Sequence, residues 1–245
     1  MLPGTDYLKA TRHPWPCLLF LVPLLLVYEG GVFWMSGTET QVLRNGADAW
    51  LRRGVQEIGF RQLMAAPILL IAFLTLHAFF RRADRPASAI GTCFGMLFES
   101  LFYAAILWAI SSRFDRILDG LGIPVANVGA DGLPMERISR IIMFTGAGIY
   151  EEVLFRLILM GGIAFVLKLS FFTAIVAKPL ALIASSVLFA LAHHVGPNGE
   201  TYNEFSFLFR VVAGLFFGLL YWFRGFGIAV GAHAAYDVMV GVRWD

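Results

Sequence analysis

The stretch 138–167, ISRIIMFTGAGIYEEVLFRLILMGGIAFVL, decides how this chain is to be read. It is long enough to cross a bilayer, for which ~20 apolar residues suffice, yet Glu151, Glu152 and Arg156 stand near its middle. A charge at mid-bilayer costs roughly 2.5–3.5 kcal/mol on insertion. Charges kept there need partners or a task.

Composition sets the same frame for the whole chain. Of 245 residues, 58% are hydrophobic and only 15% charged, against about 25% charged in a soluble domain, and the mean hydropathy is +0.73. That deficit excludes a nucleic-acid binder, a disordered protein and an ordinary water-soluble globule. The 23 Phe and 25 Gly fit packed transmembrane helices instead. The net charge of +2 identifies no partner. Cys17 and Cys93 lie in apolar stretches without disulfide or metal spacing.

Apolar windows bounded by charge, Gly or Pro predict an all-α membrane bundle of about seven spans. These are Trp15–Met35, Gln62–Phe80, Ala87–Ile110, Ile138–Leu167, Pro179–His194, Phe205–Phe223 and Phe226–Gly241. The first is longer than a signal core and lacks a small-residue cleavage site, so it is expected to stay as a helix. Trp15, Trp34, Trp108, Trp222 and Trp244 fall near predicted helix ends, as an aromatic belt would.

Between the first two spans, Ala47–Phe60 puts Trp50, Leu51, Val55 and Ile58 near one face and Arg52, Arg53 and Glu57 elsewhere. This suits an interfacial helix or an ordinary loop helix. Gly91/Gly95, Gly214/Gly218 and Gly227/Gly231, each at GxxxG spacing, predict close helix contacts. The Gly- and Pro-rich connection Ser111–Arg137 reads as an irregular loop. It divides an N-terminal region, 1–137, from a four-helix region, 138–245, within one bundle. Lys and Arg divide almost evenly between the two sides. Only the dense Arg81–Arg85 loop leans toward a cytoplasmic N-terminus.

Helical geometry separates the two glutamates. Glu152 and Arg156 are four apart, on one face and in the favourable order, whereas Glu151 is turned ~100° from Glu152 and left without that partner. Phe189 and His193 are four apart, so the ring can wall a site that the imidazole enters. His233 and Asp237 share a face likewise, and the carboxylate can orient or charge the ring. His194 reads as a helix-end residue, and Arg210 as a side chain reaching for the interface. A structural ion network around Glu151, Glu152 and Arg156 is the bland alternative.

In their order on successive helices, Glu151-Glu152-x-x-x-Arg156, Phe189-x-x-x-His193 and His233-x-x-x-Asp237 resemble the three motifs of the CPBP family of intramembrane proteases, CAAX prenyl endopeptidases and Abi-like relatives. The resemblance covers roughly residues 138–242 and implies an intramembrane endopeptidase of glutamic type. In its terms Glu151 activates water, His193 and His233 place water and stabilise the oxyanion, and Glu152 and Arg156 pair structurally. The last motif often ends in Asn. Here it is Asp237, and an ionised Asp cannot donate to an oxyanion; it must be protonated, orient His233 or bind a metal.

No cofactor is expected, with a divalent metal such as zinc on Glu151, His193, His233 and Asp237 as the alternative. The expected partners are membrane lipids and a membrane-associated or lipid-modified peptide, not nucleic acid. The expected location is a bacterial cytoplasmic membrane. Two other readings compete: a proton-coupled transporter, for which Glu29, His77 and Glu99 add titratable groups, and a catalytically silent scaffold or immunity protein. Transporters usually repeat their halves, and no repeat is found.

Overall fold

Long apolar runs punctuated by Gly and Pro leave the backbone one way to satisfy itself without water, which is within helices. The computed structural model describes residues 3–36, 44–59, 64–123, 137–196 and 199–242, and every long element among them is a helix. In chain order these are α1 (Pro3–Ala10), α2 (Pro14–Ser36), α3 (Gly46–Glu57), α4 (Ala65–Phe80), α5 (Ala89–Ser111), α6 (Phe114–Gly120) and α7 (Arg137–Glu152). A π-helical segment, Val153–Met160, joins α7 to α8 (Gly161–Leu169); α9 (Ala174–Ala192), α10 (Glu204–Arg224) and α11 (Phe226–Gly241) follow.

By length and composition α2, α5, α9 and α10 can each cross a membrane, and α4 and α11 are shorter apolar helices. Among the described residues the fold is thus all-α, and its long apolar helices are consistent with a multi-pass integral membrane protein. The expected span Ile138–Leu167 is helical throughout but is not one α-helix. Its π segment begins directly after Glu152, and such i→i+5 turns rotate everything that follows, frequently at functional sites. A regular 3.6-residue period could not anticipate it.

Two loop expectations change. Within Ser111–Arg137, α6 is a helix because Phe114 and Leu118, four apart, are both buried. Phe114 stacks edge-on against Phe205 and Phe209 at 5.4 and 5.3 Å. Residues 124–136 of that connection lie outside the described residues. Helix α3 exists as expected, but Arg52 does not face outward. Asp48 and Arg52 are buried with Ala47, because their charges are neutralised inside the protein.

Helix α11 packs against α5 and α7, α10 against α9, and α2 against α4, α5 and α7. Small residues permit these approaches. A β-carbon on Gly148 of α7 would lie 2.6 Å from the Ala234 nitrogen of α11, and one on Gly214 of α10 would lie 2.9 Å from Ser186 Cβ of α9. Gly91 departs from its GxxxG expectation, since the close neighbour there is Ser88 on its own helix turn. Gly225, at φ +99°, makes the reversal between α10 and α11 in the left-handed region that favours glycine.

Candidate active site

Helices α7, α9, α10 and α11 converge on a cavity of about 460 Å³. Glu151 and Glu152 end α7, His193 caps the C-terminus of α9, and His233 and Asp237 lie one turn apart on α11. Glu151, Phe189, His193, His233 and Asp237 all line the cavity; Glu152 and Arg156 are wholly buried behind it. The structure therefore brings together every residue that the motifs singled out.

Glu151 Oε2 faces both imidazoles, 3.9 Å from His193 Nε2 and 3.7 Å from His233 Nε2. Each ring is fixed through its other nitrogen. His193 Nδ1 stands 2.9 Å from the Phe189 carbonyl oxygen, which can only accept, so that nitrogen carries the proton and Nε2 is an acceptor in the neutral ring. His233 Nδ1 stands 2.9 Å from Glu152 Oε1, and donates to it in the same way. His233 is clamped further by Phe217, stacked at 4.3 Å and 12°.

Glu152 therefore does more than pair with Arg156. Its Oε2 is 3.1 Å from Arg156 Nε, while its Oε1 holds His233. Arg156 also lies over the Phe189 ring at 5.3 Å. Phe189 touches His193 and His233, at 4.9 and 5.8 Å between centroids. Its ring lies at the cavity beside both imidazoles.

Asp237 lies beside the other nitrogen of the same ring, its Oδ2 3.5 Å from His233 Nε2, so the ring stands between two carboxylates, Glu152 at Nδ1 and Asp237 at Nε2. No three His, Cys, Asp or Glu side chains among the described residues are arranged as ligands to one ion.

His193, Glu200 and the α10 residues Phe205, Ser206, Phe209 and Arg210 also line the cavity. The Glu200 amide donates to the His193 carbonyl at 2.8 Å, and Glu200 also pairs with Arg210 at 2.7 Å. Arg210, expected to reach for the interface, also lines the cavity. His194 Nδ1 donates to the Glu200 carbonyl and its ring packs on Tyr202, a helix-end role as read from its position.

One functional neighbour escaped the sequence. Asn45, the N-cap of α3, donates from Nδ2 to Glu151 Oε1 at 3.1 Å. Behind it lies a charge network. Asp48 binds Arg44 and Arg52 at 2.8 and 2.6 Å, and Glu29 binds Arg52 at 2.6 Å. Burial lowers the Arg44 pKa, but the Asp48 bond and the Asp48 and Glu29 charges raise it more, so it ends above its ordinary value. The signal available was a capping residue, Asn45, ahead of an amphipathic run.

Residues 135–239 match the family model described as type II CAAX prenyl endopeptidase Rce1-like. No curated protein and no solved structure matches the chain.

Proposed function

We propose, from a chain whose residues 135–239 belong to the Rce1-like family of type II CAAX prenyl endopeptidases, that this protein is an intramembrane endopeptidase whose base is Glu151. Family membership implies a CAAX-type intramembrane protease; the assignment of atoms is the further step. The observation that carries it is the 3.9 Å gap between Glu151 Oε2 and His193 Nε2. Two acceptors so spaced are too far apart to bond directly and close enough to share one water, each ~2.8 Å from its oxygen.

Such a water donates one hydrogen to each acceptor and turns its lone pairs toward the cavity. Glu151 takes a proton as the oxygen attacks the peptide carbonyl carbon. His233, its Nδ1–H committed to Glu152, carries the second proton of its cationic form on Nε2 and donates it as a hydrogen bond to the oxyanion. Collapse of the tetrahedral species breaks the C–N bond, and Glu151 returns its proton to the leaving amine. Asp237, beside Nε2, favours that cation. Substrates are membrane-associated or lipid-modified peptides, in a bundle of about seven spans.

The proton-relay reading loses its groups. Glu29 is tied to Arg44 and Arg52, Glu99 to Arg224 and Tyr7, and His77 is exposed on α4. The test uses the full chain in liposomes with a farnesylated peptide ending in a C-a-a-X sequence. Release of the C-terminal tripeptide by the native chain and not by Glu151→Gln is expected. Equal release by both, or by neither, rejects the assignment.

A further inference from the structure

The buried network on α2 and α3 lies outside the residues matched by the family model, and the reaction above makes no use of it. It nevertheless forms a closed circuit with the base. The Tyr150 hydroxyl donates to Glu29, Glu29 and Asp48 accept from Arg52, and the Tyr28 hydroxyl donates to Asp48 at 2.9 Å. The Asn45 amide donates to the Tyr28 oxygen at 3.3 Å. The Asn45 side chain then reaches Glu151, which follows Tyr150 in the chain.

The orientation of that side chain is fixed by its own helix. Asn45 Oδ1 accepts from the Ala47 amide at 2.8 Å, a bond only an oxygen can make, so the NH2 group must be the end that faces Glu151. With Oε1 engaged there, Oε2 is the oxygen left for the two histidines. Glu29 and Asp48 against Arg44 and Arg52 leave the circuit without net charge, and it is packed deep enough for Asp48 to be fully buried. Holding ions in this way costs desolvation, and alone it is weak evidence for stability.

We infer that Asn45 is a positioning residue for Glu151: it selects which carboxylate oxygen works as the base, and the α2–α3 charge network holds it at that station. The inference rests on the protease reading. It also makes the N-cap of α3 part of the site although the family match begins only at residue 135.

Serine and aspartate both cap helices well but lack the amide donor, and serine is too short to replace it. Full-length Asn45→Ser and Asn45→Asp, reconstituted in liposomes, are assayed for kcat and KM on the farnesylated C-a-a-X peptide, with Glu151→Gln as control. Thermal unfolding is followed in parallel. The expected result is a roughly 10- to 100-fold loss of kcat in both variants, with KM within about threefold and an unchanged melting temperature. Native kcat in either variant overturns the inference and leaves the protease reading intact. A loss that tracks a fall in melting temperature in both also overturns it, because the cap would then carry the effect. If Glu151→Gln cleaves like the native chain, or the native chain cleaves nothing, the protease reading fails and this inference falls with it.

Discussion

Glu152 Oε1 and His233 Nδ1 meet at 2.9 Å across α7 and α11, and they can do so because those backbones nearly touch one turn away, at Gly148 and Ala234. The hydrogen bond that fixes the imidazole is thus set by a missing side chain. We predict that Gly148→Ala forces the helices apart, lowering stability by about 1–3 kcal/mol, as overpacking does, and reducing proteolysis more than stability alone would explain. Unfolding in detergent and peptide turnover check it; native values for both refute the coupling.

Removing either partner of the buried Glu152–Arg156 pair is expected to cost ~3–5 kcal/mol, since the other charge is stranded. The double change Glu152→Leu with Arg156→Met should recover much of that stability. It should not recover activity, because His233 Nδ1 has then lost its acceptor. A double variant that both melts and cleaves like the native chain would show that Glu152 acts on the fold alone.

His193→Ala and His233→Ala are each expected to remove most of the activity, whereas His194→Ala, which touches the loop and not the cavity, should stay within a few-fold. Strong chelators should leave turnover unchanged. Inhibition by chelator that zinc reverses would reassign Glu151, His193, His233 and Asp237 as metal ligands.

Asp237 faces the same imidazole nitrogen that is assigned to the oxyanion. Asp237→Asn keeps its shape and can itself donate, so it is expected to retain activity within a few-fold, while Asp237→Ala should lose more. If the asparagine variant is as inactive as Glu151→Gln, the carboxylate takes part in bond making and the present role for it is wrong.

Cysteines at Leu121 and Tyr202, both exposed, should react with an impermeant thiol reagent from one side of the membrane, and a cysteine at Arg85 from the other. The prediction follows from α6 packing on α10 through Phe114 and Phe205, a residue that lines the cavity, with the 81–85 segment at the other end of α5 (Ala89–Ser111) and bonded to the start of α2 through the Arg81 carbonyl and His13. Labelling of all three from one side would invalidate the proposed topology and the direction in which the cavity opens.

The sequence alone determined the helical class of the fold and named most of the candidate site, and the reason is local. Apolar windows near the thickness of a bilayer must be helices there, and spacings of four put Glu152 with Arg156, Phe189 with His193 and His233 with Asp237 on shared faces. Such facts need no knowledge of where another helix lies. Tertiary structure decided what depends on distance between segments remote in the chain. It brought Glu152 to the Nδ1 of His233, opposite the nitrogen that Asp237 faces, turned Arg52 inward onto Asp48 and Glu29, and carried Asn45 to Glu151 across 106 residues. Periodicity describes which way a side chain points from its own helix axis; only the packing of one helix against another fixes what it meets.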